Sequence, residues 1–206
     1  MLPRVLLAGA TGLIGGLVLA RCPDAIPVSR RPIPGRPGVV ADFDDLPPLP
    51  PAQVAVCALG TTRAKAGSDA AFRAVDHDAV LAFARAAQAA GVTHFILVSS
   101  VGANPKSGLL YPRTKGEVEA ALAAMAFTRL DILQPGLLIG PRSERRPVER
   151  FLQAAAPLMD LALPRHLGSL PAQAVAQAIV TLTQRSEPGV FRHTNRSISV
   201  SAATLR

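Results

Sequence analysis

The sequence predicts an α/β protein built on a doubly wound parallel sheet, with a small substrate-side region at its carboxyl end. Short apolar segments of strand length alternate with longer segments whose apolar residues have helical spacing, which is the pattern of a parallel sheet. The first apolar segment, Val5–Ala8, leads into glycines at positions 9, 12 and 15 and then into helical spacing. A strand, a glycine turn and a helix in this order form the phosphate-binding corner of a dinucleotide fold.

Length and composition are those of one compact domain, residues 1–206, in which residues from about 141 onward form the substrate-side lobe. Apolar residues make up 49% of the 206 positions, which is ample for a core. No apolar run approaches the ~20 residues of a membrane helix, and the first residues do not resemble a signal peptide. The spacing of Cys22 and Cys57 is not that of metal ligands, so we expect free thiols, a cytoplasmic location and no bound metal.

The net charge of +8 comes almost entirely from arginine. Such a charge is common in proteins that bind nucleic acid, but here the basic residues are scattered and aromatic residues make up only 4% of the chain. We therefore expect a solvated basic surface that suits an anionic cofactor. Binding of nucleic acid is disfavoured, and the expected partner is a small-molecule substrate.

Each glycine of the corner has its own steric task. Gly9 allows the tight turn, Gly12 lets a pyrophosphate approach the backbone, and Gly15 lets the helix pack closely on the strand. The free N–H groups at the start of the helix then face the anion. The alternative is a tight strand-to-helix turn without a ligand. The cofactor-binding residues predicted here are Gly9, Thr11, Gly12, Leu13, Ile14 and Gly15.

The second predicted strand, residues 25–29, contains Pro27 and is followed by Arg30 and Arg31. This position, about 20 residues beyond the glycines, is where an acidic residue binds the adenosine ribose of NAD. A guanidinium at this point can instead bind a 2′-phosphate through paired charge-assisted hydrogen bonds. The arginines therefore favour NADP (NADPH) over NAD, with two solvated arginines in a loop as the alternative.

Two further strands contribute the next candidate residues. Residues 38–42 form the third predicted strand, with Asp42 at its carboxyl end, where ligands collect in open parallel sheets. Residues 54–59 form the fourth, which continues into a turn of small residues that lets the backbone pass close to a cofactor. The predicted cofactor-binding set therefore also includes Asp42, Leu59, Gly60 and Thr61.

A long helix is predicted from Ser68 to about Ala90, with Gly91 as its end. Residues 94–99 are the fifth predicted strand, and Ser99 and Ser100 end it at the same sheet edge as the glycine turn. The predicted inward face of the long helix consists of Phe72, Val75, Ala79, Phe83 and Ala86.

The reactive groups are predicted on the next helix, which runs to about Met125. Tyr111, the only tyrosine of the chain, and Lys115 are four residues apart and so share one helical face. An ammonium close to a phenol favours the phenolate, which makes the tyrosine a usable acid or base near neutrality. A nearby serine hydroxyl can hold a carbonyl or alcohol oxygen in line with the tyrosine. Tyrosine and lysine at this spacing also occur by chance, and serines are common turn residues.

The glycine turn, the strand-end serines and Tyr-x-x-x-Lys, in this order, resemble the short-chain dehydrogenase/reductase superfamily, specifically its extended and atypical branch with a Gly-Ala-Thr-Gly-x-x-Gly turn. Residues 57–68, 91–100 and 115–119 are further similar to the HIV Tat-interacting oxidoreductase group. The resemblance covers roughly residues 4–146, about two-thirds of the chain.

This resemblance implies a Rossmann-like fold, NADP(H) binding, and a catalytic set of Ser100, Tyr111 and Lys115. By its position in the motif, Ser100 is a better candidate than Ser99. Many members of the superfamily have an asparagine where this chain has Asp76, which puts a four-residue proton relay in doubt. The resemblance also places Lys115 on the nicotinamide ribose, and it places Pro135, Gly136 and Leu137 beside the nicotinamide ring.

The last third of the chain contains a sixth predicted strand, residues 127–133, and two short edge strands, residues 190–193 and 197–201. Helices are predicted to start at Pro147 and at Pro171, with Val175, Ile179 and Leu182 facing inward in the second. The basic cluster of Arg142, Arg145 and Arg146 meets either an acidic substrate or solvent. About 65 residues remain to shape a substrate pocket, which favours a small carbonyl compound over a sugar nucleotide.

Together these features predict an NADP(H)-dependent oxidoreductase that acts on a small carbonyl or alcohol substrate. The cofactor supplies the hydride chemistry, while the protein supplies position and electrostatics. The alternative is an NADP(H)-sensing regulatory or assembly protein with little or no turnover.

Overall fold

A computed structural model describes residues 3–140 and 168–203 of the chain. Two features predicted from the sequence lie outside these residues. They are the basic cluster of Arg142, Arg145 and Arg146 and the helix predicted to start at Pro147.

The described residues form a seven-stranded sheet in which every neighbouring pair of strands is parallel. Its strands run in the order β3-β2-β1-β4-β5-β6-β9, so the direction of winding reverses between β1 and β4. Ligands of doubly wound sheets bind at the carboxyl ends of the strands at such a reversal. The strands are β1 (Val5–Ala8), β2 (Ile26–Ser29), β3 (Val39–Val40), β4 (Val54–Cys57), β5 (His94–Val98), β6 (Arg129–Leu133), β7 (Leu138–Ile139), β8 (Leu170–Pro171) and β9 (Gly189–His193), with β7 and β8 paired separately.

Helices cover both faces of this sheet, as the sequence predicts. One face packs on α1, α6 and α7 through Ile14, Val175 and Ile198, and the other packs on α4 and α5 through Phe83 and Val118. Strands buried on both faces are continuous apolar runs, which explains the composition of β1 and β4. The helices are α1 (Leu13–Arg21), α2 (Arg63–Ala66), α3 (Asp69–Arg73), α4 (Ala79–Ala89), α5 (Leu110–Ala124), α6 (Ala172–Leu182) and α7 (Asn195–Ala203), with a π-helical turn (Ala74–Asp78) between α3 and α4.

The second to sixth predicted strands are each shorter in the structure, by one to three residues, and β3 is shortened most. β2 begins at Ile26 and tolerates Pro27 because β3 pairs only with Val28 and Ser29 on that side. β3 has two residues, so Asp42 lies beyond the strand, in an exposed turn.

The long predicted helix has the expected ends but a different inward face. The Ser68 hydroxyl accepts the Ala71 N–H at 3.1 Å, and Gly91, with φ of +85°, ends the helix. In between, the π-helical turn holds one more residue than an α-helical turn and rotates the rest of the helix about its axis. Asp76 and Val80 are buried, while Val75 and Ala79 are only partly buried.

The carboxyl-terminal elements contain one wrong prediction. The helix after Pro171 buries Val175, Ile179 and Leu182, and β9 matches the predicted edge strand. Residues 197–201, however, belong to α7 and not to a strand. Packing of the fully buried Ile198 in the apolar cluster that also contains α6 overrides the β-like alternation of serine and branched residues.

Candidate active site

Two glycines of the corner are required by close backbone contacts. Gly9 has a φ of +82°, and a Cβ there would lie 2.4 Å from the carbonyl oxygen of Ala58 on the neighbouring chain segment after β4. A Cβ on Gly15 would lie 2.1 Å from the carbonyl oxygen of Gly9, because α1 packs directly on the turn. Both positions therefore exclude any side chain.

Gly12 has a different environment, which fits a bound anion. It is the N-cap of α1, and a Cβ there would meet only the Gly9 carbonyl oxygen, at 3.2 Å. The helix has no side-chain cap and no acidic residue in its first turn, so its first N–H groups are left for a ligand. Thr11 beside it is exposed and Leu13 is partly buried, whereas the Ile14 side chain packs in the core. The corner thus has the form of a pyrophosphate site.

Arg30 and Arg31 follow the carboxyl end of β2, the strand next to β1. Both are exposed, and among the described residues neither guanidinium has an ion-pair partner. The Ser29 hydroxyl donates to the Arg31 carbonyl oxygen at 2.8 Å and so holds the turn on which they lie. The arginines are therefore placed at the sheet edge that the sequence predicts, with their charges available.

The loop after β4 contacts the predicted catalytic lysine through a third residue, Asp76. The Thr61 N–H donates to Asp76 Oδ2 at 2.7 Å, and Lys115 Nζ lies 2.7 Å from Asp76 Oδ1. A Cβ on Gly60 would lie 3.6 Å from Asp76 Oδ1 and 3.8 Å from Lys115 Nζ, so this loop passes directly over the ion pair. Leu59 precedes it, partly buried against the core.

Lys115 is a buried ammonium. Burial lowers its pKa, but the carboxylate of Asp76 and the proximity of Tyr111 outweigh burial and raise the pKa above its ordinary value. Lys115 therefore carries a positive charge at neutral pH inside the site. Asp76 is a site residue that sequence reasoning noted only as a departure from asparagine. The signal that could have revealed its role is an acidic residue one helix before a Tyr-x-x-x-Lys lysine.

The two strand-end serines have different surroundings. Ser99 Oγ donates to the buried Glu119 Oε1 at 2.6 Å, and Gln134 Nε2 donates to the same carboxylate at 2.9 and 3.0 Å. Ser100 is also buried, but its hydroxyl has no hydrogen-bond partner among the described residues. A buried hydroxyl without a hydrogen-bond partner costs free energy unless a ligand supplies that partner. Of the two serine hydroxyls, that of Ser100 therefore suits a substrate oxygen.

Tyr111 lies in the first turn of α5 and is 45% exposed. Its ring packs against Phe72 with the centroids 5.9 Å apart, and among the described residues its hydroxyl has no hydrogen-bond partner. The structure thus places Tyr111 and Lys115 four residues apart on α5, with the tyrosine side chain partly exposed.

The segment from Pro135 to Leu137 is anchored on both sides. The Pro135 carbonyl oxygen accepts the Val101 N–H at 3.0 Å, beside Ser100, and the Gly136 N–H donates to Asn195 Oδ1 at 2.8 Å. Leu137 is 37% exposed. Asn195 is buried and was not predicted, because nothing local in the sequence connects it with a segment about 60 residues away.

A second buried charge cluster contains no predicted site residue. Asp131 on β6 lies between His94 and His193 and pairs with Arg129. A cavity of about 370 Å³ opens beside Arg129, at the amino ends of β4, β5 and β6. Of this cluster, His94 and Arg129 are at the amino ends of β5 and β6, whereas the glycine corner follows the carboxyl end of β1.

Several expectations concern general properties of the chain. Cys22 and Cys57 are free thiols, as predicted. Among the described residues no group of three or more His, Cys, Asp and Glu side chains could hold a metal ion. In the same part of the chain, no helix has both the length and the apolar composition needed to cross a membrane.

The strand order and the glycine corner define a Rossmann-like fold. MoeE5, solved in complex with UDP-glucose and NAD, has a TM-score of 0.70 at 17% identity, covering 98% of this chain and 81% of its own. The UDP-glucose 4-epimerase of Thermus thermophilus, solved with NAD, has a TM-score of 0.67 at 18% identity, covering 97% and 82%. Identities this low establish the fold alone. No protein-family model matches the chain.

Curated relatives identify the family. The mitochondrial protein FMP52 of Coccidioides immitis is 37% identical over 169 residues, which are 69% of this chain and 69% of the relative. The corresponding protein of Aspergillus clavatus is 36% identical over 175 residues, 74% of each chain. HTATIP2 of Rattus norvegicus is 47% identical over 114 residues, 53% of this chain and 47% of its own. The chain belongs to the FMP52 and HTATIP2 family of atypical short-chain dehydrogenase/reductase proteins, as the motifs predict.

These comparisons also correct one prediction. The expected cytoplasmic location is wrong, because the FMP52 relatives are named as mitochondrial proteins. The matched stretch spans from about half to about three-quarters of the length of these relatives.

Proposed function

We propose that the protein is an NADP(H)-dependent oxidoreductase that acts on a small carbonyl or alcohol substrate. The observation that carries the proposal is the buried, unpartnered hydroxyl of Ser100 at the same sheet edge as the buried ammonium of Lys115. An apolar side chain in place of Ser100 would leave no other group among the described residues unpaired, whereas loss of the Lys115 ammonium would leave Asp76 without its counter-charge. Membership of the short-chain dehydrogenase/reductase type supports the same activity.

The residues present fit a nicotinamide dinucleotide. The open side of Gly12 and the uncapped first turn of α1 suit its pyrophosphate, and the loop of Gly60 and Thr61 lies at the carboxyl end of the adjacent strand. The preference for NADP rests on Arg30 and Arg31, whose guanidinium groups suit a 2′-phosphate and have no ion-pair partner in the part of the chain that the structure describes. Asp42 lies in the exposed turn after β3, on one side of β1 in the sheet. The segment from Pro135 to Leu137 follows β6, on the other side of β1.

The chain's own residues would divide the proton chemistry among them. Ser100 Oγ would hold the substrate oxygen, and the Tyr111 hydroxyl would give a proton to it or take one from it. The ammonium of Lys115 would stabilise the phenolate that forms and would contact the nicotinamide ribose. When bound, the dinucleotide supplies hydride transfer.

One observation favours a second candidate function, that of an NADP(H)-sensing regulatory or assembly protein. The charge of Lys115 is already balanced by Asp76 at 2.7 Å, which weakens the field of the ammonium at Tyr111. Such a site can bind the dinucleotide without turnover.

Titration with NADPH and NADH, followed by nucleotide fluorescence, tests both candidates. We expect tighter binding of NADPH, and we expect carbonyl reduction that is lost in Tyr111→Phe while its NADPH affinity is kept. Absence of binding of either nucleotide would contradict both functions. NADPH binding without turnover across a panel of aldehydes and ketones would favour the sensor, and equal affinity for NADH would contradict the role of the arginines.

A further inference from the structure

Asp76 is a buried carboxylate to which the proposed proton chemistry assigns no task. It is 1% exposed and yet contacts two separate parts of the candidate site. Its Oδ1 lies 2.7 Å from Lys115 Nζ, and its Oδ2 accepts the Thr61 N–H at 2.7 Å. One carboxylate therefore joins the π-helical turn, the loop after β4 and the catalytic helix α5.

Asp76 lies in the π-helical turn, four residues after the buried Phe72 and four before the buried Val80. Burying a carboxylate costs free energy unless it is paired and hydrogen-bonded. Asp76 Oδ2 accepts the Thr61 N–H and Oδ1 forms the ion pair with Lys115, so the contacts of this carboxylate lie in the candidate site. Turns of this kind are frequent at functional sites.

Lys115 depends on a counter-charge in its surroundings. The lysine is 4% exposed, and a buried ammonium without a partner loses its proton far more readily than a solvated one. The titratable groups that face it are Asp76 from the π-helical turn, Tyr111 on its own helix and Cys57 from β4. Burial raises the pKa of the Cys57 thiol to about 12, so this group stays neutral. Asp76 is the buried group that balances the ammonium.

We infer that Asp76 is a positioning residue, which keeps Lys115 protonated and held at the crevice before any ligand binds. Asp76 supplies the negative charge 2.7 Å from the ammonium nitrogen, and the N–H groups of the ammonium can bond to Tyr111 and a ribose hydroxyl. The inference rests on the proposed function only for the role of the charged Lys115 towards Tyr111 and the nucleotide. The coupling of Asp76 to Lys115 does not depend on the proposed function.

Thermal unfolding as a function of pH tests this coupling without any nucleotide. In Asp76→Asn, burial lowers the pKa of Lys115 below its value in the unfolded chain, so the folded state binds fewer protons between these two values. Stability of the variant then rises with pH from neutrality to about pH 10. Wild type lacks this rise because its Lys115 pKa is raised, and the double variant Asp76→Asn with Lys115→Met lacks it because the amine is gone.

Binding of NADPH provides the second measurement. From roughly pH 6 to pH 9 we expect wild-type affinity to change little through this pair, and the affinity of Asp76→Asn to fall about tenfold at the alkaline end as Lys115 loses its proton. Asp76→Glu, which keeps the charge, should recover most of the loss. If wild type binds no NADPH, the proposed function fails while the unfolding test still decides the role of Asp76.

Identical pH dependence of unfolding in wild type, Asp76→Asn and the double variant would overturn the inference. Should Asp76→Asn fail to fold, Lys115→Met gives the converse test. That variant leaves the Asp76 carboxylate buried without its counter-charge, so adding Asp76→Asn to it should restore part of the stability that Lys115→Met loses. A double variant no more stable than Lys115→Met would refute the coupling.

Discussion

Replacing Asp131 with asparagine tests how strongly one buried charge cluster stabilises the fold. Asp131 is fully buried and pairs with Arg129 through Nε at 2.6 Å and Nη2 at 3.0 Å. His94 Nε2 and His193 Nε2 lie 2.7 and 2.6 Å from its carboxylate oxygens. Burial raises the pKa of Asp131, but the hydrogen bonds from His193, His94 and Arg129 outweigh burial and hold the pKa well below its usual range.

The magnitude depends on the charges that the substitution leaves unpaired. Removing one partner of a buried ion pair costs about 3–5 kcal/mol, because the other charge stays buried. Arg129 retains Glu187, whose carbonyl oxygen accepts at 2.8 Å, and its guanidinium lies 4.2 Å from the Phe191 ring centroid. We therefore expect the lower end, about 3 kcal/mol, or a fall in Tm of about 6–12 °C for a chain of this size.

The pH dependence has a definite sign. Because the folded-state pKa of Asp131 is lowered, its contribution is fully present above the unfolded value of about 4 and is lost as the pH falls through the folded value. The difference in stability between wild type and Asp131→Asn should therefore be constant near neutrality and shrink in acid.

Urea and thermal unfolding from neutral to acidic pH measure both quantities. Asp69→Asn is the matched control, because Asp69 pairs with Arg63 at the surface, where the two side chains are 57% and 73% exposed. This control should cost less than about 1 kcal/mol. An Asp131→Asn variant as stable as the control, or a difference that grows in acid, would refute the reasoning.

Three further substitutions test the candidate site. Ser100→Ala should lower kcat/KM for carbonyl reduction about 100-fold with little change in Tm. Ser99→Ala should instead lower Tm, because it removes the hydrogen bond to Glu119 at a cost of about 1–3 kcal/mol. Equal effects of the two variants on kcat/KM and on Tm would contradict the assignment of Ser100 as the catalytic serine. Arg30→Ala with Arg31→Ala should weaken NADPH binding about 10- to 100-fold and leave NADH binding unchanged, as measured by fluorescence titration. Gly15→Ala should displace α1 and destabilise the protein by about 1–3 kcal/mol in thermal unfolding, while Gly108→Ala, where a Cβ meets nothing within 4 Å, should change neither stability nor nucleotide affinity.

The parts of the fold that the sequence predicts well are those fixed by local signals. The glycine corner is readable because β1, the turn and α1 are consecutive, and steric exclusion at Gly9 and Gly15 arises within and next to this unit. Tyr111 and Lys115 are readable for the same reason, since helical spacing alone places them on one face. No local pattern in the sequence indicates which distant residues contact these units in the folded protein.

Three features escape prediction because tertiary contacts decide them. Asp76 and not Val75 is on the buried face of the long helix, and contacts with the loop after β4 and with α5 decide between these adjacent positions. Residues 197–201 alternate like a strand and become helical through packing of Ile198. The partners of Asp131 come from three strands, so the cluster forms only once the sheet order is known.

The two consecutive serines after β5 have different roles, since Ser99 makes a structural contact and Ser100 belongs to the candidate site. Side chains of successive residues in an extended segment point to opposite sides, so Ser99 reaches Glu119 on α5 while Ser100 is left without a partner among the described residues. Glu119 is one helical turn beyond Lys115, and the bonds from Ser99 and Gln134 therefore hold α5 to the ends of β5 and β6. Asp76 holds the same helix from the other side. The position of Lys115 is consequently determined by protein contacts alone, and a dinucleotide entering the crevice would meet an ammonium that is already in place.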